Sequence, residues 1–375
     1  MTAMEISAGE ARSAFAPQPS HRSEVIRPGG GILFEIFLPP GRERVTENAQ
    51  AAQWKLIASD GKPLDAAEIF RRTGIERRYI AYDLDPLFMA EIATLHMFPR
   101  MKTVPPPVDL TIASTSYPLG VNISAELNKQ MGIDADNLDI YAACSGAGRG
   151  LDYVGKYVRE GQGVLLVESE MHSRNVWDLR EEGGIQKDPG LSQLLLSDAA
   201  VAMYFVNGKD LTILASITKD LGHPELITGP YDRRLLTGNY IEEPAGTGVM
   251  YSPKLQQDGK GMFMLVRAAI PDAIEETVLG AGLTPDDIDL VITHQPSIHL
   301  LEVMQKRLAK KGFAPEKFVF DMQDGNFSSG STTKATHRAM REGRIHKGSK
   351  VVVATVGAGI TASVAILEFH STLAA

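Results

Sequence analysis

The chain of 375 residues has one cysteine, Cys144, and two tryptophans. A lone thiol excludes an intrachain disulfide framework and any multi-cysteine zinc or iron–sulfur site, and no metal site is expected. Basic residues are in deficit: 38 Lys and Arg stand against 46 Asp and Glu, a formal charge of −8. That balance argues against a nucleic-acid partner, which calls for a basic face. Long apolar runs are scarce too. The longest uncharged stretch, Val351–Leu367, has 17 residues, near the lower limit for a membrane helix. Gly357 and Gly359 split it, so two buried strands joined by a tight turn are predicted there in place of a membrane span. Residues 1–30 contain Glu5 and Glu10 and lack an apolar run of signal-peptide length. Their Ser, Pro, Ala and Gly content predicts a mobile tail, and the chain reads as soluble and cytoplasmic.

What is present is an ordinary globular composition, 43% hydrophobic and 22% charged, on a chain long enough for more than one domain-sized core. The chain also repeats itself once. VDLTIASTS (Val108–Ser116) resembles IDLVITHQP (Ile288–Pro296), with Asp109 and Asp289 offset by 180 residues. A helical pattern follows each, and Gly132 and Gly312 keep the same offset of 180 where a helix C-cap glycine belongs. Two further runs, LDIYAAC and FVFDMQDGN, end at Cys144 and Asn326 and lead into helices. Arg-Glu-Gly tripeptides (Arg159–Gly161 and Arg341–Gly343) and the aliphatic runs Val164–Val167 and Val351–Val356 complete the series. Strands alternating with helices predict an α/β protein with mostly parallel sheets. Its two duplicated halves, 31–210 and 211–375, pack about a pseudo-twofold axis, with Gly222–Tyr240 as the connecting region.

In such a fold Cys144 and Asn326 occupy equivalent strand ends, and His294 follows the Asp289–Thr293 strand. Ligands of α/β sheets bind at such ends. Cys144 lies where a strand turns through Ser145, Gly146, Ala147 and Gly148 into a helix. The positive end of that helix is expected to lower the thiol pKa and favour a nucleophilic thiolate. A free cysteine is equally at home as an inert core residue. Taken singly, His294 reads as a core histidine and Asn326 as a turn residue. Together, a thiol with His and Asn donors suits acyl chemistry.

The chain resembles the β-ketoacyl-[acyl carrier protein] synthase III family of the thiolase-like superfamily. The matching stretches are RRTGIERR (Arg71–Arg78), the cysteine turn AACSGA, THQPS (Thr293–Ser297), GNFSSGS (Gly325–Ser331) and GAGITASVAILEF (Gly357–Phe369), spread over roughly residues 32–370. The resemblance implies a five-layer αβαβα fold and a homodimer, or a heterodimer with a paralogue. It implies that Cys144 is acylated by an acyl-CoA or acyl-carrier-protein thioester, with no permanently bound cofactor. It implies that His294 and Asn326 bind the carbonyl of a malonyl-type thioester, which decarboxylates and condenses with the acyl group. The Cys144 amide and the backbone at Ala358 would form the oxyanion hole, and Arg72 and Ser297 would meet the pantetheine arm.

Several positions depart from the family pattern. Ser297 replaces an asparagine, His299 a commonly basic residue, and Glu68 a tryptophan that stacks on the coenzyme A adenine. A carboxylate removes the stacking and repels phosphates. The segment Leu196-Ser197-Asp198-Ala199-Ala200 and the longer stretch Thr46–Ala67 also differ. These changes point to a specialised fatty-acid or polyketide-type pathway, loaded by a carrier protein or another thioester. Lys306, Arg307, Lys310 and Lys311, spaced as i,i+4 pairs, predict a positive helical stripe suited to an acidic carrier. Glu170, His172 and Arg174 are read as structural. Two other readings compete with condensation: transfer of the acyl group to a hydroxyl or amine, which a retained Asn326 disfavours, and a non-catalytic partner subunit, which an intact trio disfavours.

Overall fold

The repeat is visible in single hydrogen bonds. Asp109 Oδ2 accepts from Gly163 N at 2.7 Å while Asp109 N donates to Gly163 O at 2.8 Å. Asp289 Oδ2 accepts from Lys350 N at 2.7 Å while Asp289 N donates to Lys350 O at 2.8 Å. In both halves an aspartate just ahead of one strand pins the start of its neighbour.

The computed structural model describes residues 31–41, 44–54, 63–81, 84–98, 107–116, 122–172, 192–223, 227–228, 256–257, 259–357 and 359–373. The predicted tail 1–30 and most of Gly222–Tyr240 lie outside the described residues. The first half runs β1 (Leu33–Phe37), β2 (Val45–Glu47), α1 (Asn48–Ala51), α2 (Ala66–Thr73), β3 (Arg77–Tyr79), α3 (Pro86–Met97), β4 (Leu110–Ser114), α4 (Ile123–Met131), β5 (Asp136–Ile140), α5 (Gly146–Tyr157), β6 (Gly163–Glu170), α6 (Ser192–Leu195) and β7 (Ala199–Val206). The second runs β8 (Leu211–Asp220), β9 (Ile227–Thr228), β10 (Gln256–Gln257), α7 (Gly259–Gly280), β11 (Leu290–Thr293), α8 (Ile298–Ala309), α9 (Gly330–Arg341), β12 (Lys350–Gly357) and β13 (Thr361–Phe369).

One main sheet has the order β1-β7-β6-β4-β5, the other β11-β12-β13-β8. The expectation of mostly parallel sheets is corrected. β4 pairs in parallel with β5 and β6, and β11 with β12, but the remaining ladders of the two sheets are antiparallel. β12 and β13 are joined by the short Gly-containing turn predicted at Gly357–Gly359, and a strand that returns through so few residues can pair only antiparallel.

Five layers result. α3 and α4 cover the outer face of the first sheet through Met89, Ala93, Ile123 and Leu127. α7 and α8 cover the second through Val266, Ile270, Leu301 and Met304. Between the sheets, Leu151 and Val154 of α5 and Ala335 and Ala339 of α9 pack against Ile112 and Leu166 on one side and Ile292 and Val353 on the other. A helix enclosed on both sides has little room for side chains. A Cβ at Gly146 would sit 1.8 Å from Ser114 Oγ, and one at Gly148 would sit 2.1 Å from Thr355 Oγ1. The glycines after the cysteine are therefore a packing requirement of the central layer.

The strand expected ahead of Asn326 is reduced to one bridge, Val291↔Phe318. The Gln295 side chain takes over part of its ladder: Oε1 accepts from Asp321 N at 2.9 Å and Nε2 donates to Val319 O at 3.2 Å. A buried backbone satisfied by an amide side chain needs no neighbouring strand.

Candidate active site

β5 ends at Ile140, and a 3₁₀ turn, Ala143–Ser145, carries Cys144 to the start of α5. Ala143 is held at φ 44°, a left-handed conformation costly for a residue with a Cβ. Ser145 fixes the turn, its N and Oγ donating to Ala142 O at 3.0 and 2.8 Å. From the other half, Gly357 at the end of β12 presses on the same turn. A Cβ there would lie 2.4 Å from both Ala142 O and Ser145 N and 3.0 Å from Cys144 N.

The thiol is half-buried. Ser328 Oγ donates to its sulfur at 3.3 Å, and Ser116 Oγ lies 3.3 Å from Ser328 Oγ. Behind these hydroxyls is Glu170 at the end of β6, which accepts from Ser116 N at 2.8 Å and Ser329 Oγ at 2.9 Å. The expected lowering of the thiol pKa is corrected. Burial pushes Cys144 up to about 12, the Ser328 hydrogen bond opposes this, and the Glu170 charge adds to it. Desolvation of a thiolate outweighs what a helix terminus supplies when the nearest ionisable group is a carboxyl.

Asn326 is positioned by the opposite half: its N donates to Leu195 O at 2.8 Å and its O accepts from Ser197 N at 3.0 Å. Its Oδ1 accepts from Ser328 N at 2.8 Å and from Ser331 Oγ at 3.0 Å. With the oxygen occupied, Nδ2 is the amide's remaining donor. His294 follows β11, its N donating to Ala354 O at 2.7 Å, and is 5% exposed. Among the described residues nothing pairs with its Nδ1. Burial, with the nearby His172, lowers its pKa to about 3, so the ring is neutral at physiological pH. His172, lowered by burial to about 4, in turn lies 3.7 Å from Glu170. Ser328 thus hydrogen-bonds both Cys144 and Asn326, while His172, 3.7 Å from Glu170, is an electrostatic neighbour of His294.

Other expected residues are engaged elsewhere. Arg72 Nε bonds Glu68 Oε1 at 2.5 Å, and Arg71 bonds the same carboxylate at 2.6 Å. These arginines hold the Glu68 carboxyl down at about 2. Ser297 caps α8, accepting from Leu300 N at 3.4 Å. The two positions lie on adjoining elements, since a Cβ at Gly74, just past α2, would be 2.8 Å from Ile298 Cβ. The positive stripe is corrected. α8 ends at Ala309, so Lys310 and Lys311 lie beyond it, and Lys311 pairs with Asp272 at 2.9 Å and Glu275 at 2.5 Å on α7. Lys306 and Lys310 are exposed and Arg307 half-exposed. Ala358 and Arg174 lie outside the described residues.

The sequence pattern gave Ser116, Ser328 and Glu168 no role and Glu170 only a structural one, so the carboxyl pair of β6 went unrecognised. A signal for the last was available: Glu168 and Glu170 sit two apart in VLLVESE, on one face of a fully buried strand. Glu168 bonds Thr333 Oγ1 at 2.8 Å and is pushed by burial to about 8, and Glu170 to about 7.

Two matched α/β halves meeting at a cysteine on a strand-to-helix turn define a thiolase-like protein, and comparison with known proteins narrows this. Residues 280–369 match the family model described as 3-oxoacyl-[acyl-carrier-protein (ACP)] synthase III C terminal. The β-ketoacyl-[acyl-carrier-protein] synthase III of Granulibacter bethesdensis is 30% identical over 314 residues, covering 80% of this chain and 90% of the relative. That of Methylococcus capsulatus is 29% identical, covering 80% and 89%. The synthase III structure from Thermus thermophilus superposes with a TM-score of 0.71 at 24% identity, covering 92% of this chain and all of the other. The chain belongs to the β-ketoacyl-[acyl-carrier-protein] synthase III family and is an acyltransferase of the condensing type.

Proposed function

We propose that Cys144 accepts an acyl group from a thioester and that His294 and Asn326 then hold the carbonyl of a malonyl-type thioester. Loss of carbon dioxide leaves an electron pair that enters the carbonyl as an enolate. Its α-carbon attacks the acyl-S-Cys144 carbonyl, forms a carbon–carbon bond and expels the cysteine sulfur. The observation that carries this reading is the donor set: a neutral imidazole and an amide whose oxygen is already occupied by Ser328 N and Ser331 Oγ. Neutral donors aimed at developing negative charge are what decarboxylation to an enolate requires. The oxyanion of the acyl-transfer half would be held by Cys144 N and the backbone at Ala358, next to Gly357.

The donor is read as an acyl carrier protein in a specialised fatty-acid or polyketide-type pathway. Glu68 engages both Arg71 and Arg72, which leaves a carboxylate where an adenine would stack and occupies Arg72, the residue that would meet the pantetheine arm. β5 ends the first sheet and Tyr141 beside it is 46% exposed, which supports a homodimer through this edge.

One experiment tests the reading. The protein is incubated with acyl-carrier-protein and acyl-CoA donors, and intact mass is measured for wild type and Cys144→Ala. Malonyl thioester is then added. An adduct on wild type alone, with carbon dioxide and a ketone on the second addition, is expected. An adduct that discharges only onto an alcohol or amine would reassign the reaction as acyl transfer. No adduct with any donor would leave a non-catalytic partner subunit.

A further inference from the structure

The two donors assigned to the second thioester carbonyl are held in different ways. Asn326 Oδ1 accepts from Ser328 N, two residues on, at 2.8 Å. Asp220 makes the same kind of turn, its Oδ1 accepting from Gly222 N at 2.8 Å. In both, an acceptor bonded to Cγ reaches the amide two positions ahead. His294 Nδ1 is also bonded to Cγ and has the same reach. The residue two positions ahead of His294, however, is Pro296, which has no N–H. Among the described residues nothing pairs with Nδ1, although the ring is only 5% exposed. A buried nitrogen without a partner is costly, so this one calls for an explanation.

His294 and Pro296 line a cavity between the second sheet and the helices α7 and α8, with room for about one water molecule. Its walls are mostly apolar, with Ile270 from α7, Met304 from α8 and Val356 from β12. The polar exception beside His294 is Thr293, which is 1% exposed. Its Oγ1 donates to His294 O at 3.3 Å and keeps its lone pairs free to accept. We propose that a water bound in this cavity donates one proton to His294 Nδ1 and the other to Thr293 Oγ1, in place of the amide that Pro296 lacks. Thr293 is then a positioning residue, acting on the imidazole through the water and touching no substrate atom.

The direction of the water follows from the walls. Thr293 Oγ1 has its proton on His294 O and can only accept, so it takes one proton of the water. If the water accepted from a protonated Nδ1, its second proton would face apolar side chains, and an unmade hydrogen bond in such a place is unfavourable. Donation to Nδ1 uses both protons. A neutral imidazole whose Nδ1 accepts carries its own proton on Nε2. The water therefore selects the tautomer in which Nε2 donates, the form that can hold a thioester carbonyl as charge develops on it. This consequence rests on the proposed condensation; the water site itself does not. The chain builds the orientation of Asn326 into its own backbone, whereas that of His294 depends on a solvent molecule.

The test reads the ring directly. Nitrogen NMR of protein carrying isotopically labelled histidine tells a protonated ring nitrogen from a bare one, and His294→Asn identifies the His294 signals. Wild type, Thr293→Val, Pro296→Ala and the double variant are compared, and a crystal structure of wild type is examined for the water. Wild type is expected to hold His294 with the proton on Nε2 and to show a water within hydrogen-bond distance of Nδ1 and Thr293 Oγ1. Thr293→Val should give a mixture of both tautomers and slow carbon dioxide release from a malonyl thioester about tenfold, while Cys144 still acylates. Adding Pro296→Ala should restore both, because the new amide supplies Nδ1 with a donor; a packing defect would not be repaired in this way. An unchanged tautomer in Thr293→Val overturns the proposal, as does a double variant no closer to wild type, or a dry cavity in the crystal structure. Should Thr293→Val fail to fold by circular dichroism, Thr293→Ala decides by the same criteria. The expected tautomers with no change in carbon dioxide release would count against the role of His294 in condensation and leave the water site standing.

Discussion

Gly357 has no room for one more carbon. A methyl placed on it would meet Ala142 O and Ser145 N at 2.4 Å, both of them backbone atoms that cannot rotate away. Gly357→Ala should therefore displace the Cys144 turn, lower the urea midpoint by an amount equivalent to about 1–3 kcal/mol, and slow adduct formation at Cys144. A Gly132→Ala control meets no atom within 4 Å but must adopt φ 65°, so it separates backbone strain from collision. Asn326 offers a different lesson at this scale. Asn326→Asp replaces the Nδ2 donor by an oxygen beside the position of the proposed enolate. Carbon dioxide release should fall by about a hundredfold or more, while acylation of Cys144 by the first thioester persists. Equal loss in both half-reactions would place Asn326 in a structural role.

At the scale of elements, the end of α8 divides its cations between two jobs. Lys311 is held by Asp272 and Glu275 and ties α8 to α7, whereas Lys306 and Lys310 are exposed. A double Lys306→Glu, Lys310→Glu variant should lower kcat/KM for carrier-bound donors at low salt and leave small thioester donors unaffected. The difference should fade as salt is raised and the screening length shrinks below about 8 Å. Lys311→Ala should show the converse, a small fall in thermal midpoint with little change in carrier dependence. α5 was legible from its glycines, because a run of small residues before an amphipathic pattern marks a helix in close contact. The strand before Asn326 was not legible. Its apolar pattern is strand-like, and the replacement of its ladder by Gln295, which lies more than twenty residues earlier, has no local signature.

Across the whole molecule, the buried groups around Cys144 set an acid–base signature for folding. Glu168 and Glu170 are raised from 4.5 to about 8 and about 7, so the folded chain keeps protons that the unfolded chain releases. Their contribution is full below 4.5 and is lost as pH rises through 7 and 8. His172 and His294 are lowered from 6.5 to about 4 and about 3, so their contribution is full above 6.5 and is lost as pH falls toward 4 and 3. Between 4.5 and 6.5 the two carboxyl and two imidazole contributions oppose each other. Urea midpoints measured against pH should form a plateau there and decline on either side. Glu168→Gln should flatten the decline above pH 6.5, each proton being worth up to about 1.4 kcal/mol per pH unit. An unchanged alkaline limb in that variant would show that Glu168 ionises at its ordinary value in the folded protein.

The sequence by itself determined the duplicated α/β plan, because the repeated order of aspartates, C-cap glycines and aliphatic runs encodes the same local hydrogen bonds twice. It also marked Cys144, His294 and Asn326, since each ends a segment whose pattern is readable within a dozen residues. Tertiary structure alone decided the electrical state of the thiol. A helix terminus is a local feature and argues for a thiolate, but burial and the approach of Glu170 are not local. They come from β6 and from the loop before α9, and they leave a protonated sulfur with Ser328 hydrogen-bonded to it. The strand direction of the sheets and the closing of Gly357 on the Cys144 turn were decided at the same level. Both depend on how the two halves meet, and no window of one chain segment contains that contact.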